Sequence, residues 1–461
     1  MSSINKMEAK EKVHYMQTES IPKLIGRLSI PTIISMLVTS FYNLADTFFV
    51  GKINTQATAA VGIVFSVMAV IQATGFFFGH GSGNYISRTL GSGDFDEASR
   101  MASAGFFYAF GMGILLAASA LFFVKPLAIW LGSTETILPY TIDYLRIILV
   151  GAPFTMAGFV LNNQLRFQGS AVYAMVGICT GAILNIGLDP LLIFGFGMGV
   201  SGAALSTVIS QIASFVVLFA MTRRGSNISV HIKNLRFNGH YIKEIARGGV
   251  PSLVRQGLGS VSSVLLNRSA GLYGGDFSDA AIAAMAVVNR VFMFCNSALI
   301  GFGQGFQPVC GMNYGGKKYG RVREAFWFCV KTSLLALVGI AVVFFTFAKP
   351  IVTLFRKEDA DVIRIGTVAL RFQMISFPFS SFIVMSNMML QSVGKAVRAS
   401  IVAAARQGLF LIPILLLLPK YTGLLGVQMA QMIADICSLI LTIPLAMYFL
   451  NEMKELAKNN N

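Results

Sequence analysis

The run LNIGLDPLLIFGFGMGVSGAALST at 184–207 decides the class of this chain. Two apolar stretches flank a short glycine-bearing turn, and the only charge in the run, Asp189, lies inside the first stretch. A helix on the surface of a soluble protein keeps a charged face; neither stretch has one. Reading outward, apolar runs of about 20 residues recur from Leu28 to Phe449, the helical length that crosses a bilayer core. Twelve spans are expected, at 28–50, 57–79, 101–123, 137–160, 171–194, 199–221, 248–271, 280–307, 325–347, 361–390, 397–418 and 423–448. The even count puts both tails on one side.

Composition agrees. Of 461 residues, 55% are hydrophobic and 12% charged, about half the charged share of a soluble protein. That excludes a soluble globule, whose exterior could not hide so much apolar surface, and a disordered chain. The net charge of +16 comes from 36 Lys+Arg against 20 Asp+Glu. No zinc finger, helix-turn-helix or arginine-rich tract supports a nucleic-acid partner. The bases instead follow the rule that Lys and Arg collect in cytoplasmic loops. With both tails cytoplasmic, 22 fall inside, counting Arg398 at the very start of its span, and 6 outside, the remaining 8 lying within spans. The polar stretch 1–27 and the length of the first apolar run do not read as a cleavable signal. Cys179, Cys295, Cys310, Cys329 and Cys437 lack metal-ligand spacing and read as small apolar residues.

The halves repeat. Ile30-Pro31 pairs with Val250-Pro251 at an offset of 220. GHGSG at 79–83 pairs with GFGQG at 301–305, and GVSG at 199–202 with GLLG at 423–426. Leu145-Arg146, Pro153 and Gly169 pair with Leu370-Arg371, Pro378 and Gly394 at an offset of 225. The expected fold is therefore all-α and polytopic: twelve transmembrane helices as two pseudo-symmetric six-helix bundles related by an axis along the membrane normal. The divisions are a cytoplasmic tail at 1–27, a first bundle at 28–221, a basic connector at 222–247, a second bundle at 248–448 and a cytoplasmic tail at 449–461, the last with the Lys/Glu mixture of a short surface helix. The repeat is consistent with a working monomer.

Three acids fall well inside spans: Asp46, Asp189 and Asp435. Intramembrane carboxylates are costly and mark candidate functional sites. Asn185 and Asp189 stand at i and i+4 and share a helix face. Pro190 cannot donate a backbone hydrogen bond, so a break there would free a carbonyl beside the carboxylate. Thr207 could add a hydroxyl. Asp46, Asn185, Asp189 and Thr207 would make an all-oxygen pocket for H⁺ or Na⁺, unsuited to a soft metal; they count as metal ligands only if Na⁺ is the ion. The plain alternative is that Asp46 and Asp189 cap broken helices. Asp435 shows no acidic or amide partner in its own span, and a structural role is the simpler reading. Among intramembrane bases, Arg255 and Arg406, with Asp435, are candidates to line a substrate cavity; Arg146 and Arg371 match across the repeat and read as structural. The 38 Phe and 22 Met suit an adaptable wall for flat cations as well as ordinary packing. No GxxxxGK[ST], HExxH or GxSxG occurs, which gives no support to an ATP-driven pump or an intramembrane hydrolase. The glycine clusters GHGSG and GFGQG are expected at tight turns or close helix contacts.

The stretches PTIISMLVTSFYNLADTFFVG at 31–51, the ATAAVG after it, LRFQGS at 165–170 and the 184–207 run together resemble the multidrug and toxic compound extrusion (MATE) family over nearly the whole chain, closest to its prokaryotic DinF-like branch. The resemblance implies a multi-pass protein of the prokaryotic cell membrane, not an enzyme, without a cofactor, that expels small amphipathic cations in exchange for H⁺ or Na⁺. It implies that Asp46, Asn185, Asp189 and Thr207 hold the coupling ion. Tyr42, one turn before Asp46, positions the site, and Pro31 and Pro190 serve helix bending. The acids that another branch carries in the seventh and tenth helices are missing; Arg255 and Arg268 occupy the seventh. The expected function is that of a cation-coupled multidrug antiporter working by alternating access. The alternative is a flippase for lipids or lipid-linked sugars in the same superfamily, for which Arg255, Arg268, Arg290 and Arg406 would supply the phosphate-binding charge. A non-transporting sensor would need no buried acid pair.

Overall fold

The computed structural model describes residues 3–224, 228, 230–355 and 359–459. Within them the chain is helical: α1 (Ser3–Thr18), α2 (Ile21–Gly51), α3 (Thr55–Gly91), α4 (Phe95–Phe122), α5 (Val124–Trp130), α6 (Leu138–Phe167), α7 (Ala171–Pro190), α8 (Gly199–Arg224), α9 (Gly239–Tyr273), α10 (Ser278–Gly315), α11 (Tyr319–Thr346), α12 (Ala348–Phe355), α13 (Ala360–Ser376), α14 (Ser380–Ser392), α15 (Ala396–Ala404), α16 (Leu411–Thr422) and α17 (Leu424–Asn459). Eleven helical segments are long and apolar enough to cross a membrane. The twelfth expected span lies in α9, which is long enough but interrupted by Arg255, Gln256 and Arg268. Residues 225–227 and 229 of the expected connector lie outside the described residues.

Helices α3 and α10 run well beyond the expected span ends, to Gly91 and Gly315. Sequence hydropathy ends a span where polar residues begin, but His80, Ser82, Asn84, Gln307 and Asn313 are buried against neighbouring helices rather than wet. Two short helices, α5 and α12, were not expected; they begin at repeat-equivalent positions, Val124 and Ala348. Nor is the polar N-terminus a loose tail. Ala9, Val13 and Met16 of α1 are buried. Gln17 Nε2 donates to the carbonyls of Gly91 (2.9 Å) and Met312 (3.2 Å), and Asn313 Nδ2 donates to the Met16 carbonyl (3.1 Å). The start of the chain is thereby tied to both halves.

The duplication extends to single hydrogen bonds. Asn162 Nδ2 donates to the Ala174 carbonyl (3.1 Å), and Asn387 Nδ2 to the Ala399 carbonyl (2.7 Å), both pairs at the offset of 225. Proline shows where the copies diverge. Pro153 sits inside the unbroken α6, whereas its counterpart Pro378 lies in a 3₁₀ turn, Phe377–Phe379, that separates α13 from α14.

The two bundles meet through their glycine clusters. A side chain at Gly81 would collide with the Ile245 carbonyl, and at Gly249 with the Phe77 carbonyl, so α3 and α9 touch backbone to backbone. In the other half, Gly301 faces Ile33 and Gly305 faces Ser29, bringing α10 onto α2 in the same manner. Ser29 Oγ and Thr32 Oγ1 donate to the carbonyls of Phe302 (3.0 Å) and Gly301 (2.6 Å) across this seam. Small residues let helices approach where lipid supplies no hydrophobic drive between them. The glycine clusters are thus close helix contacts, and both lie toward the end of the molecule that carries the termini.

Candidate functional site

Asp46 lies on α2, Asn185 and Asp189 on α7, and Thr207 on α8, and the packing of α2 on α7 and of α7 on α8 brings these residues into one pocket inside the first bundle. Asn185, Asp189 and Thr207 are buried, with Asp189 wholly inaccessible, and Asp46 is half-buried. The two carboxylates are within Coulombic reach of each other, and Tyr42 is within reach of both. Asn185 Nδ2 donates to Asp189 Oδ1 (3.4 Å) and to Ser206 Oγ (3.1 Å), and Ser206 Oγ donates back to the Asn185 carbonyl (3.3 Å). Thr207 Oγ1 spends its proton on the Ala203 carbonyl (3.0 Å), leaving its lone pairs to face the pocket's other groups.

The unused atoms define the chemistry. Asp46 Oδ1, Asp189 Oδ2 and Asn185 Oδ1 are buried and accept no hydrogen bond. Three oxygen acceptors without donors, in the low-dielectric interior of a bundle, are costly unless a proton or cation joins them. Among the described residues neither carboxylate has a Lys, Arg or His within ion-pair distance. The donor set is all oxygen, which suits a proton or a hard cation.

Pro190 ends α7 as expected, though the chain does not break outright: Leu191–Gly195 form a π-helical turn before the loop to α8. The widened turn follows from the missing amide of Pro190. Pro31 stands elsewhere. It lies 15 residues before Asp46 on α2, roughly 22 Å along the axis, next to the seam formed by Ile33 and Gly301. The sequence reading missed Tyr144, Ser206 and Ser210. Tyr144 on α6 is fully buried beside Thr207 and within reach of Asp46, and its hydroxyl and that of Ser210 are unpartnered. The signal for Ser206 was its place beside Thr207 in the 184–207 run; Tyr144, on a helix distant in sequence, gave none.

The other candidates lie in the second bundle. Asp435 on α17 is fully buried and well partnered: Arg406 Nε and Gln431 Nε2 each donate to its Oδ1 (2.8 Å), and Ser376 Oγ donates to Oδ2 (3.0 Å). This corrects the expectation that Asp435 has no amide partner in its own span, because Gln431 sits one turn earlier on the same helix. Arg406 belongs to a second π-helical turn, Ala405–Leu409, whose Gln407 carbonyl accepts from Ser262 Oγ on α9. Its guanidinium lies over the Phe292 ring at 5.2 Å. Arg255 on α9 is half-buried and donates to Asn387 Oδ1 (3.4 Å). Arg268 and Arg290 are exposed on their helices.

Comparison with known proteins agrees with this architecture. The family model MatE matches twice, at residues 31–191 and 251–417, once per half, each match beginning at a paired proline. Multidrug export protein MepA of Staphylococcus haemolyticus is 30% identical, aligned over 93% of this chain and 94% of that protein. MepA of Staphylococcus aureus strain MSSA476 is 28% identical over the same shares. A solved structure described as the outward-facing conformation of a multidrug resistance MATE family transporter superposes with a TM-score of 0.90 at 25% identity, covering 96% of this chain and 98% of that one. With both halves matched by the family model, twelve helices in two bundles and relatives aligned end to end, the chain belongs to the MATE family of membrane transporters.

Proposed function

We propose that the chain is a multidrug exporter that exchanges small amphipathic, mostly cationic compounds for H⁺ or Na⁺ by alternating access. The observation that carries the coupling is the set of unpartnered acceptors on Asp46, Asp189 and Asn185, with no basic side chain to neutralise them. Asp46 and Asp189 bind the ion, Asn185 and Thr207 complete its shell, and Tyr42 positions Asp46. Relatives named as multidrug export proteins support the export of drugs. Loading the ion and holding a cationic drug in the same bundle oppose each other, so each lowers the other's affinity by the same factor. The bundles touch at the end that carries the termini, which by the Lys/Arg bias is cytoplasmic. The conformation therefore faces outward, with 222–247 linking bundles 28–221 and 248–448 on the inside of a prokaryotic cell membrane.

A flippase for phosphate-bearing lipids draws less support, because Arg406 is neutralised by Asp435 and the relatives are named as multidrug export proteins. The deciding experiment reconstitutes the protein in liposomes and follows ethidium movement under an imposed ΔpH and, separately, an imposed Na⁺ gradient. Transport driven by one gradient names the coupling ion; transport driven by neither overturns the reading.

A further inference from the structure

Beyond the acid pocket, the described residues hold a buried guanidinium with no acid to balance it. Arg166 at the end of α6 is 1% exposed and His80 on α3 is 2% exposed. Arg166 Nη2 donates to Asn163 Oδ1 (2.6 Å) and meets His80 Nε2 at 3.4 Å. Its Nε, and His80 Nδ1, are buried and unpartnered. Arg255 comes from the opposite bundle and lies within Coulombic reach of both. The other buried arginine, Arg406, is compensated by Asp435 (2.8 Å), and the half-buried Arg88 meets Glu244 (3.5 Å). No carboxylate lies within ion-pair distance of Arg166 or Arg255 among the described residues.

The repeat shows that packing does not require this charge. At the offset of 225 the counterpart of Arg166 is Gln391, a neutral residue that ties α14 to α9 by donating to the Gly248 carbonyl (2.7 Å) and Ser252 Oγ (2.7 Å). The counterparts of His80 and Arg255 are Phe302 and Ser35. Each of the three positions is thus filled by an uncharged residue in the other copy of the fold. A buried, unbalanced guanidinium is expensive and is retained where an anion meets it. The surroundings narrow that anion. Phe76 stacks on His80 at 5.2 Å and Phe159 packs on Phe76 at 5.0 Å, and both rings are half-buried. Beside His80 runs the close contact of Gly81 with Gly248 and of Phe77 with Gly249, part of the seam between the bundles.

We propose that Arg166, Arg255 and His80 form a binding site for the carboxylate of an aromatic amphipathic substrate, uncovered when the bundles part at the end that carries the termini. The proposal rests on the alternating-access reading and assigns to this cluster the selection of substrates that carry a carboxylate. Arg166 offers the planar fork that fits a carboxylate, Arg255 supplies a second charge from the facing bundle, and Phe76 with Phe159 holds the ring.

The test uses the full chain in phosphatidylcholine nanodiscs, where both faces are accessible. Equilibrium binding of 2-naphthoate is compared with that of its uncharged amide, 2-naphthamide. The expected result is naphthoate binding about tenfold tighter than naphthamide, the worth of one charge-assisted hydrogen bond. Arg166→Gln should bring the two affinities together, Arg166→Lys should retain part of the difference, and His80→Gln should lower it less. Arg255→Gln, at a half-exposed position, decides the matter should Arg166→Gln not fold, and should also shrink the difference. Equal affinities in the wild type, or a difference that survives both arginine variants, overturns the proposal. So does loss of naphthoate binding on adding phosphatidylglycerol, which would mean that lipid phosphate is the ligand. Ethidium transport in the same preparation separates the two readings. Ethidium transport with no naphthoate preference leaves the antiporter standing and removes this site. Naphthoate preference without ethidium transport does the reverse.

Discussion

The two bundles share a fold and differ in what they do with a buried aspartate. In the first, Asp189 and Asp46 keep free oxygens and meet no cation. In the second, Asp435 is satisfied by Arg406, Gln431 and Ser376. Each site lies near a π-helical turn in the fifth helix of its bundle, Leu191–Gly195 in one and Ala405–Leu409 in the other, and such turns often mark functional positions. The difference is whether the counter-charge is covalently part of the chain. A guanidinium held at 2.8 Å cannot leave; a proton or Na⁺ can. Each bundle therefore holds a buried carboxylate, at positions the repeat does not match, and ion exchange is expected only where the protein withholds its own cation.

The largest effect that would break this comparison is in coupling. Asp46→Asn and Asp189→Asn should each reduce gradient-driven ethidium movement in liposomes to the level of empty vesicles, because the neutral amide cannot take up and release a cation. Asp435→Asn, provided it reconstitutes, should keep its gradient dependence. A folded Asp435→Asn protein that no longer responds to the gradient would place an exchangeable ion in the second bundle and erase the distinction.

The next effect is on stability. Arg406→Met leaves Asp435 buried without its cation, a loss of about 3–5 kcal/mol, read as a large fall in melting temperature in detergent. Arg406→Met with Asp435→Leu should recover most of it, because removing both charges removes the desolvation cost as well. The same treatment of the first bundle should go the other way: Asp189→Leu removes an uncompensated carboxylate and should raise the melting temperature while abolishing transport. If both bundles respond alike, the acid pocket is not uncompensated.

A smaller effect concerns the seams. Gly81→Ala places a methyl against the Ile245 carbonyl, which is backbone and cannot swing away, whereas Gly303→Ala meets the flexible ends of Met388 and Met385. Overpacking of this kind costs about 1–3 kcal/mol, so Gly81→Ala should lower the melting temperature and slow transport more than Gly303→Ala. Equal effects would mean that α3 and α9 shift apart freely.

Most of the fold was readable because the bilayer imposes a length on each span and duplication prints the same landmarks twice. Pro31 with Pro251 and Gly169 with Gly394 fix the halves before any contact is known. The acid pocket was legible for a related reason: Asp46 and Asp189 are expensive where they stand, and Asn185 lies at helical spacing from Asp189. The same spacing joins Gln431 to Asp435, so that partner was available in the sequence and was overlooked. Tyr144 and the Arg166–His80 cluster were not legible. Each depends on helices brought together from separate parts of the chain, and nothing local marks a tyrosine or an arginine near a span end as buried. Hydropathy also places the ends of α3 and α10 too early, since it scores His80 and Asn313 as wet when neighbouring helices bury them.

The smallest predicted effect asks whether the two halves are equal as well as similar. Asn162→Ala and Asn387→Ala delete the same side-chain hydrogen bond at repeat-equivalent places, to the carbonyls of Ala174 and Ala399. Each should cost about 1 kcal/mol, the net worth of one such bond. Asn387 has a second task, accepting from Arg255 at 3.4 Å, so its loss should be the greater and the excess should vanish in an Arg255→Gln background. The sites lie in different bundles with no shared partner, and distant sites add to within about 0.5 kcal/mol. Melting of the double variant that falls short of the sum would show that one bundle gives way before the other. The bundle whose asparagine dominates would then be the weaker of the two.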